Sequence, residues 1–163
     1  MDSLNLRTVY ARNCSVQRVG KDVAAPFLDE NHRLRYTSCR YLYALAVKRS
    51  TGAAETSLPE GTVVAVAGFS SARRWLKGER KVSSYEWVRY ASLPDVRVVG
   101  GMGKLLEAFV DEVHPDDVMS YADASWSGGD AYKALGFVCE GLVEKPGFRC
   151  LKFRKIFSER QAI

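Results

Sequence analysis

The chain has 163 residues, of which 47% are hydrophobic and 26% charged, with a net charge of +5. This is ordinary globular composition, with length enough for one domain and a buried core. No apolar run approaches the roughly 20 residues that span a bilayer, and MDSLNLRTVYARNC has no apolar stretch behind a basic start, so neither a membrane span nor a secretory leader is expected and the implied location is cytoplasmic.

The first strand is expected over 7–18, where β-formers mix with charges, and a helix over 22–32, with Asp22 as its N-cap and Val23, Phe27 and Asn31 sharing a face beside Leu28. YLYALAVKR, 41–49, and TVVAVAGFS, 62–70, read as strands of an antiparallel hairpin, separated by a Gly/Ser/Thr/Pro-rich loop over 50–61. A basic stretch over 71–81 carries Arg73, Arg74, Trp75, Lys77, Arg80 and Lys81; it is either a nucleic-acid patch or a solvated loop. A third central strand is expected over 83–92. A turn then feeds the helix GMGKLLEAFVDEVH, in which Leu105, Leu106, Phe109, Val110 and Val113 recur at helical spacing. DVMSYAD, 117–123, is a further strand, ASWSGG a loop and GDAYKALG a short helix. Two last strands, 137–145 and 148–157, meet at the turn pair Pro146–Gly147. This order predicts a single mixed α/β (α+β) domain over 1–163, with its core at about 8–156, a tail over 157–163, antiparallel hairpins and at least one parallel crossover.

The cysteines, Cys14, Cys39, Cys139 and Cys150, form no C-x-x-C pair, which argues against a zinc knuckle and for buried free thiols. No metal cluster is evident. The net charge fits a nucleic acid, an anionic cofactor or no special partner.

The segment VVGGMGKLLEAFV places Gly100, Gly101 and Gly103 between a strand and an amphipathic helix. Glycine permits close backbone approach, and the first N–H groups of a helix are unpaired at the positive end of its dipole. Such a turn either holds a phosphate or pyrophosphate, with Lys104 adding charge, or simply starts the helix. It is neither a P-loop nor the dinucleotide fingerprint, whose third glycine is replaced by Leu106.

Two of these segments carry a resemblance to the GNAT superfamily of acyl-CoA-dependent N-acyltransferases. Gly101-Met102-Gly103 before a Leu-Leu helix resembles the pyrophosphate loop R/Q-x-x-G-x-G/A, although Val98 stands where the pattern has Arg or Gln and Arg97 lies one position earlier. Tyr132-Lys133-Ala134-Leu135-Gly136-Phe137 is similar to the later motif Y-e-k-l-G-F, and the element order agrees over roughly 8–156. More narrowly, FLDENH, YEWVRYAS, VVGGMGKLLEAFV and SYADASWSGGDAYKALGF follow one another as in phage-type GNAT-like domains, with Ala124 and Ser125 replacing a usual polar and basic pair. A looser similarity extends to the Mom family of phage DNA-modification proteins.

The resemblance implies a GNAT-like fold, a mixed central sheet with flanking helices, and acetyl-CoA (CoA) bound by Val99, Gly100, Gly101, Met102, Gly103 and Lys104. It makes Tyr132 the candidate general acid for the departing thiolate, with a packing tyrosine as the other reading. Glu86 becomes the candidate base, or a charge on a wet sheet face. Period-2 alternation sets Glu86 and Arg89 on opposite faces unless the strand bulges. Asp123 either orients the amine or holds the following loop. His32 either borders the acceptor cleft or is a capping histidine. Arg89, Ser120 and Trp126 are candidate substrate contacts. The implied reaction is direct acetyl transfer to an amine of a small molecule or protein. The alternatives are a Mom-like enzyme that modifies a nucleic-acid base and a non-catalytic GNAT-like DNA-binding module.

Overall fold

The computed structural model describes residues 7–48, 58–124 and 129–157. In chain order its elements are β1 (Arg7–Tyr10), β2 (Cys14–Arg18), α1 (Lys21–Asn31), β3 (Tyr41–Val47), β4 (Val63–Phe69), β5 (Arg73–Lys77), β6 (Arg80–Ser92), β7 (Val96–Val99), α2 (Gly101–Val113), β8 (Asp117–Asp123), α3 (Asp130–Ala134), β9 (Val138–Lys145) and β10 (Phe148–Ile156). They fall into two units. One takes the chain to Phe69 and then Arg89–Glu112; the other takes Ser70–Val88 and the chain from Val113.

In the first unit the segment expected as one strand is two. A 3-10 turn, Ala11–Asn13, separates β1 from β2. It buries Ala11, and Lys104 Nζ donates to the carbonyls of Ala11 (2.9 Å) and Cys14 (2.7 Å). β1 pairs in parallel with β7, Arg7 opposite Val96 through Tyr10 opposite Val99, so part of the expected turn after β6 is a strand. β2 pairs antiparallel with β3, and β3 with β4, from Tyr41 opposite Phe69 to Ala46 opposite Val63. The expected hairpin is therefore present; residues 49–57 of its connection lie outside the described residues.

β3 is covered on both faces. Leu42 and Ala44 join Val66 and Ala91 in a cluster with Ala24 and Leu28 of α1. Tyr41 and Tyr43, on the other face, meet Phe109 of α2 edge-on, and Phe69 stacks on Phe109 at 4.0 Å. Strands buried on both sides need apolar residues at every position, which is why β3 and β4 read as unbroken apolar runs. Leu28, Leu105 and Phe109 are fully buried, each stabilising the fold by about 2 kcal/mol. The buried stripe of α1 is Ala24–Leu28, one residue on from the face expected through Val23, which is 37% exposed. The Ala24 side chain is a single methyl, so the helix packs close to the sheet. The N-cap is Gly20, and Asp22 lies in the first turn.

In the second unit the expected basic loop is an ordered hairpin. β5 pairs with β6 from Arg73 opposite Ser84 to Lys77 opposite Arg80, across a two-residue turn in which Gly78 has φ +67°. β6 pairs in parallel with β8, β8 antiparallel with β10, and β10 antiparallel with β9. All four cysteines are free; Cys14 is buried as expected, but Cys139 is exposed on the β9 edge. No described helix is long and apolar enough to cross a membrane.

Candidate active site

The parallel ladder between β6 and β8 is short. It runs from Ser84 opposite Asp117 to Glu86 opposite Met119. At the next position a side chain takes over: Ser120 Oγ lies 2.9 Å from the Trp87 carbonyl and 2.8 Å from the Tyr132 phenol oxygen. A carbonyl only accepts, so the single Ser120 proton goes to Trp87 and the Tyr132 O–H donates to Ser120 Oγ. Ser120 is buried, and the Tyr132 ring is held by Trp87, Phe137 and Phe153 at centroid distances of 5.5–6.0 Å. Burial pushes the Tyr132 pKa up, the Ser120 hydroxyl eases it down by its ability to turn toward a phenolate, and the charge of Glu86 raises it again. The phenol is therefore a protonated, sheltered acid at neutral pH.

Alternation along the strands sets Ser84, Glu86, Asp117 and Met119 on one face and Trp87 and Ser120 on the other. Glu86 lines a cavity of about 400 Å³ on its face, together with Ser70, Arg73, Trp75, Met119 and Arg154. Mutual hydrogen bonds fasten the strand here: Ser70 Oγ accepts from the Glu86 N–H, and the Ser70 N–H donates to the Glu86 carbonyl. Three residues of the lining, Trp75, Ser84 and Arg154, belong to a charged network. Asp117 is only 4% exposed. Its carboxylate pairs with the Arg154 guanidinium and accepts from Ser84 Oγ at 2.7 Å, while Trp75 Nε1 donates to Ser84 Oγ at 2.8 Å. Arg154 Nε also donates to Glu140 at 3.0 Å. No local motif marks this set, because its members come from five strands; an aspartate at the head of an apolar strand was the one visible trace.

Asp123 ends β8 opposite Cys150 and is half-buried. Trp126 lies outside the described residues. Among the described residues no group of His, Cys, Asp and Glu has metal-holding geometry.

The first unit holds the glycine turn. Lys104 N–H donates to the Gly100 carbonyl at 3.1 Å, and Gly100 has φ +80°. Gly100 is thus the cap, and Gly101-Met102-Gly103 form the first turn of a 13-residue helix rather than a loop before it. A Cβ on Gly101 would lie 2.6 Å from Val98 Cγ1 and 3.4 Å from Leu45 Cδ2, so close packing alone requires glycine there. The Lys104 ammonium is turned to the Ala11 and Cys14 carbonyls. What the turn offers an anion is the first-turn N–H groups and the positive end of the dipole. Val99 and Arg97 are exposed on β7.

His32 and Arg89 come together in this unit. His32 caps α1, and its Nδ1 accepts the Leu34 N–H at 2.9 Å. Arg89 Nε donates to the Arg35 carbonyl at 2.7 Å, fastening the same loop. Burial lowers the His32 pKa, and the charges of Arg89 and Arg33 lower it further, so the ring is neutral at pH 7.

No family model matches the chain. No curated protein matches it significantly by sequence. Solved structures do match it. A Corynebacterium glutamicum structure described as histone acetyltransferase HPA2 and related acetyltransferase aligns at 14% identity over 88% of this chain and 96% of that one, with TM-score 0.56. The NatC complex bound to Gag peptide and CoA aligns at 12% identity over 89% and 99%, with TM-score 0.57. AtaT complexed with acetyl-methionyl-tRNAfMet aligns at 12% identity over 91% and 97%, with TM-score 0.53. The fold is that of the GNAT acetyltransferases. Within this GNAT fold Glu86, Ser120, Asp123 and Tyr132 belong to the second unit, and the glycine turn, His32 and Arg89 to the first.

Proposed function

We propose that the chain is a GNAT-type acyl-CoA-dependent N-acyltransferase that passes an acetyl group from acetyl-CoA directly to an amine. The observation that carries this reading is the end of the β6–β8 ladder, where the pairing stops after Glu86 opposite Met119 and the Tyr132 phenol, hydrogen-bonded to Ser120, lies close enough to feel the charge of Glu86. The fold, shared with structures bound to CoA, supports it.

The residues present fit the cofactor. A diphosphate needs donors rather than a particular side chain, and the first turn of α2 supplies backbone N–H groups on a helix long enough to carry a dipole. Its terminal glycine cap leaves a Cβ-free approach, the nearest atom to a Cβ built there being Ala11 Cβ at 3.6 Å. Lys104 contributes by holding the Ala11–Asn13 turn. When bound, acetyl-CoA supplies a thioester whose carbonyl takes up the amine and whose sulfur leaves as a thiolate.

Glu86 removes the amine proton, directly or through water, at the end of the β6–β8 ladder, where its charge reaches Tyr132. Tyr132 gives its proton to the leaving sulfur, and its raised pKa keeps that proton available at neutral pH. Ser120 aims the phenol and stabilises the phenolate by turning its own O–H toward it. Asp123 is the proposed second carboxylate, orienting the amine from the end of β8. Mom-type base modification would use the same acid and base and differ in the acceptor.

The test is CoA-thiol release from acetyl-CoA with a panel of amines (amino acids, polyamines, a peptide N-terminus and nucleosides), with mass spectrometry of the products. An amine-dependent release that falls about 100-fold or more in Glu86→Gln is expected. Release that is unaffected by every amine, or unchanged in the variant, overturns the assignment.

A further inference from the structure

β5 and its turn are not used by acetyl transfer, yet they are built around one aromatic side chain. Trp75 is 42% exposed, although its indole N–H is pinned by Ser84 Oγ, itself tied to the buried Asp117. The ring is fixed along one edge while its body stands open. It borders two cavities: that of Glu86, about 400 Å³, and a second of about 290 Å³ shared with Lys77 and Arg80. Alternation along β5 sets Arg73, Trp75 and Lys77 on one face of the strand, a row of cation, aromatic ring and cation. Every residue of β5 is exposed, and Arg74 and Lys81 add charge on the opposite face. The acids nearby are already engaged: Asp116 with Arg80, Asp117 and Glu140 with Arg154. Glu79 at the turn and Glu86 in the cavity are the hairpin's own acids.

A strand hairpin with an exposed tryptophan ordinarily loses that surface to a core or to a partner. This one keeps the ring rigid, flanks it with cations and opens space on both sides. Those are the requirements for stacking a planar base while the adjoining phosphates meet lysine and arginine. A folded peptide has no need of the cations, and a duplex keeps its base faces stacked and out of reach. We propose that the β5–β6 hairpin binds single-stranded nucleic acid, with a base stacked on Trp75 and its phosphates along Arg73 and Lys77. The bound strand then lies at the mouth of the cavity that holds Glu86.

The experiment is fluorescence anisotropy of labelled single-stranded DNA, single-stranded RNA and duplex DNA of one sequence, titrated with the full chain at several salt concentrations without acetyl-CoA. Saturable binding of a single strand is expected, with log affinity falling against log salt at a slope of about −0.7 per phosphate neutralised. Trp75→Ala is expected to weaken it about tenfold, and Trp75→Phe, which keeps the stacking face and loses the N–H, to restore most of it. Arg73→Ala with Lys77→Ala is expected to flatten the salt slope. No saturable binding at about 50 mM salt, equal affinity of wild type and Trp75→Ala, or preference for the duplex would each overturn the proposal. Acetyl-CoA titrated separately into the same proteins keeps the two readings apart. Binding of acetyl-CoA without the oligonucleotide sinks only the hairpin proposal.

Discussion

Replacing Tyr132 by Phe separates chemistry from packing. The ring keeps its neighbours, Trp87 at 6.0 Å and Phe137 and Phe153 at 5.5 Å. What goes is one hydrogen bond, the phenol to Ser120 at 2.8 Å, and Ser120 still donates to the Trp87 carbonyl. No buried polar atom is stranded, so the stability cost is that of one neutral hydrogen bond, about 1 kcal/mol. For a chain of this size that lowers Tm by about 2–4 °C. Loss of a general acid is a larger effect, about 10²–10⁴ in rate, equivalent to about 3–5 kcal/mol in the barrier. The two magnitudes are far enough apart to be told from one another. With acetyl-CoA and an accepted amine, kcat of Tyr132→Phe is expected to fall at least 100-fold while acetyl-CoA affinity holds. A Tm shift of the expected size accompanied by a kcat within a few-fold of wild type would make Tyr132 a packing residue and refute the acid role.

Gly129→Ala tests the wall behind that tyrosine. Gly129 has φ +79°, and a Cβ there would overlap the Phe153 ring, so backbone strain and overpacking together are expected to cost about 2–4 kcal/mol by denaturant titration; a change under about 0.5 kcal/mol would contradict the packing described. The depressed His32 pKa has a sign: below its ordinary value near 6.5 the unfolded chain takes up a proton that the folded chain resists, so His32 contributes stability that is lost as pH falls through that range. Tm measured from pH 7 to 5 is expected to fall less steeply in His32→Asn, and parallel curves would remove His32 as the cause. At the alkaline end burial raises the pKa of Tyr43, Tyr90 and Tyr132, so the unfolded state loses protons first and stability should decline above about pH 10; a smaller decline in Tyr43→Phe is the check, and an identical decline would contradict it.

Long elements buried on one or both faces were legible in the sequence, because burial writes its period into the residue types. β3, β4 and α2 are of this kind. β5 was not legible. All five of its residues are exposed, so nothing constrains them to alternate, and a run of arginine and lysine reads as loop. β7 is four residues long and is held by a parallel partner some 90 positions away in the chain, a pairing no local pattern records. The break between β1 and β2 lacks glycine or proline; the Lys104 ammonium, which arrives from another element, bonds the carbonyls of Ala11 and Cys14 there. The same distinction runs through the site. Tyr132, Ser120 and Glu86 lie in segments whose resemblance and order pointed to them, and the structure brings Tyr132 and Ser120 into contact. The Asp117–Arg154–Ser84–Trp75 network stayed hidden because each member is ordinary in its own segment and becomes informative only when four strands meet.

The most direct measurement is isothermal titration of acetyl-CoA and CoA into the full chain, paired with Gly103→Glu, which sets a carboxylate in the first turn of α2 where a diphosphate would lie. Saturable binding that the variant abolishes, with the variant's far-UV spectrum and Tm close to wild type, is the result expected of an acyl-CoA-dependent transferase. No heat of binding to the intact protein at millimolar ligand, or equal binding by the variant, would contradict it.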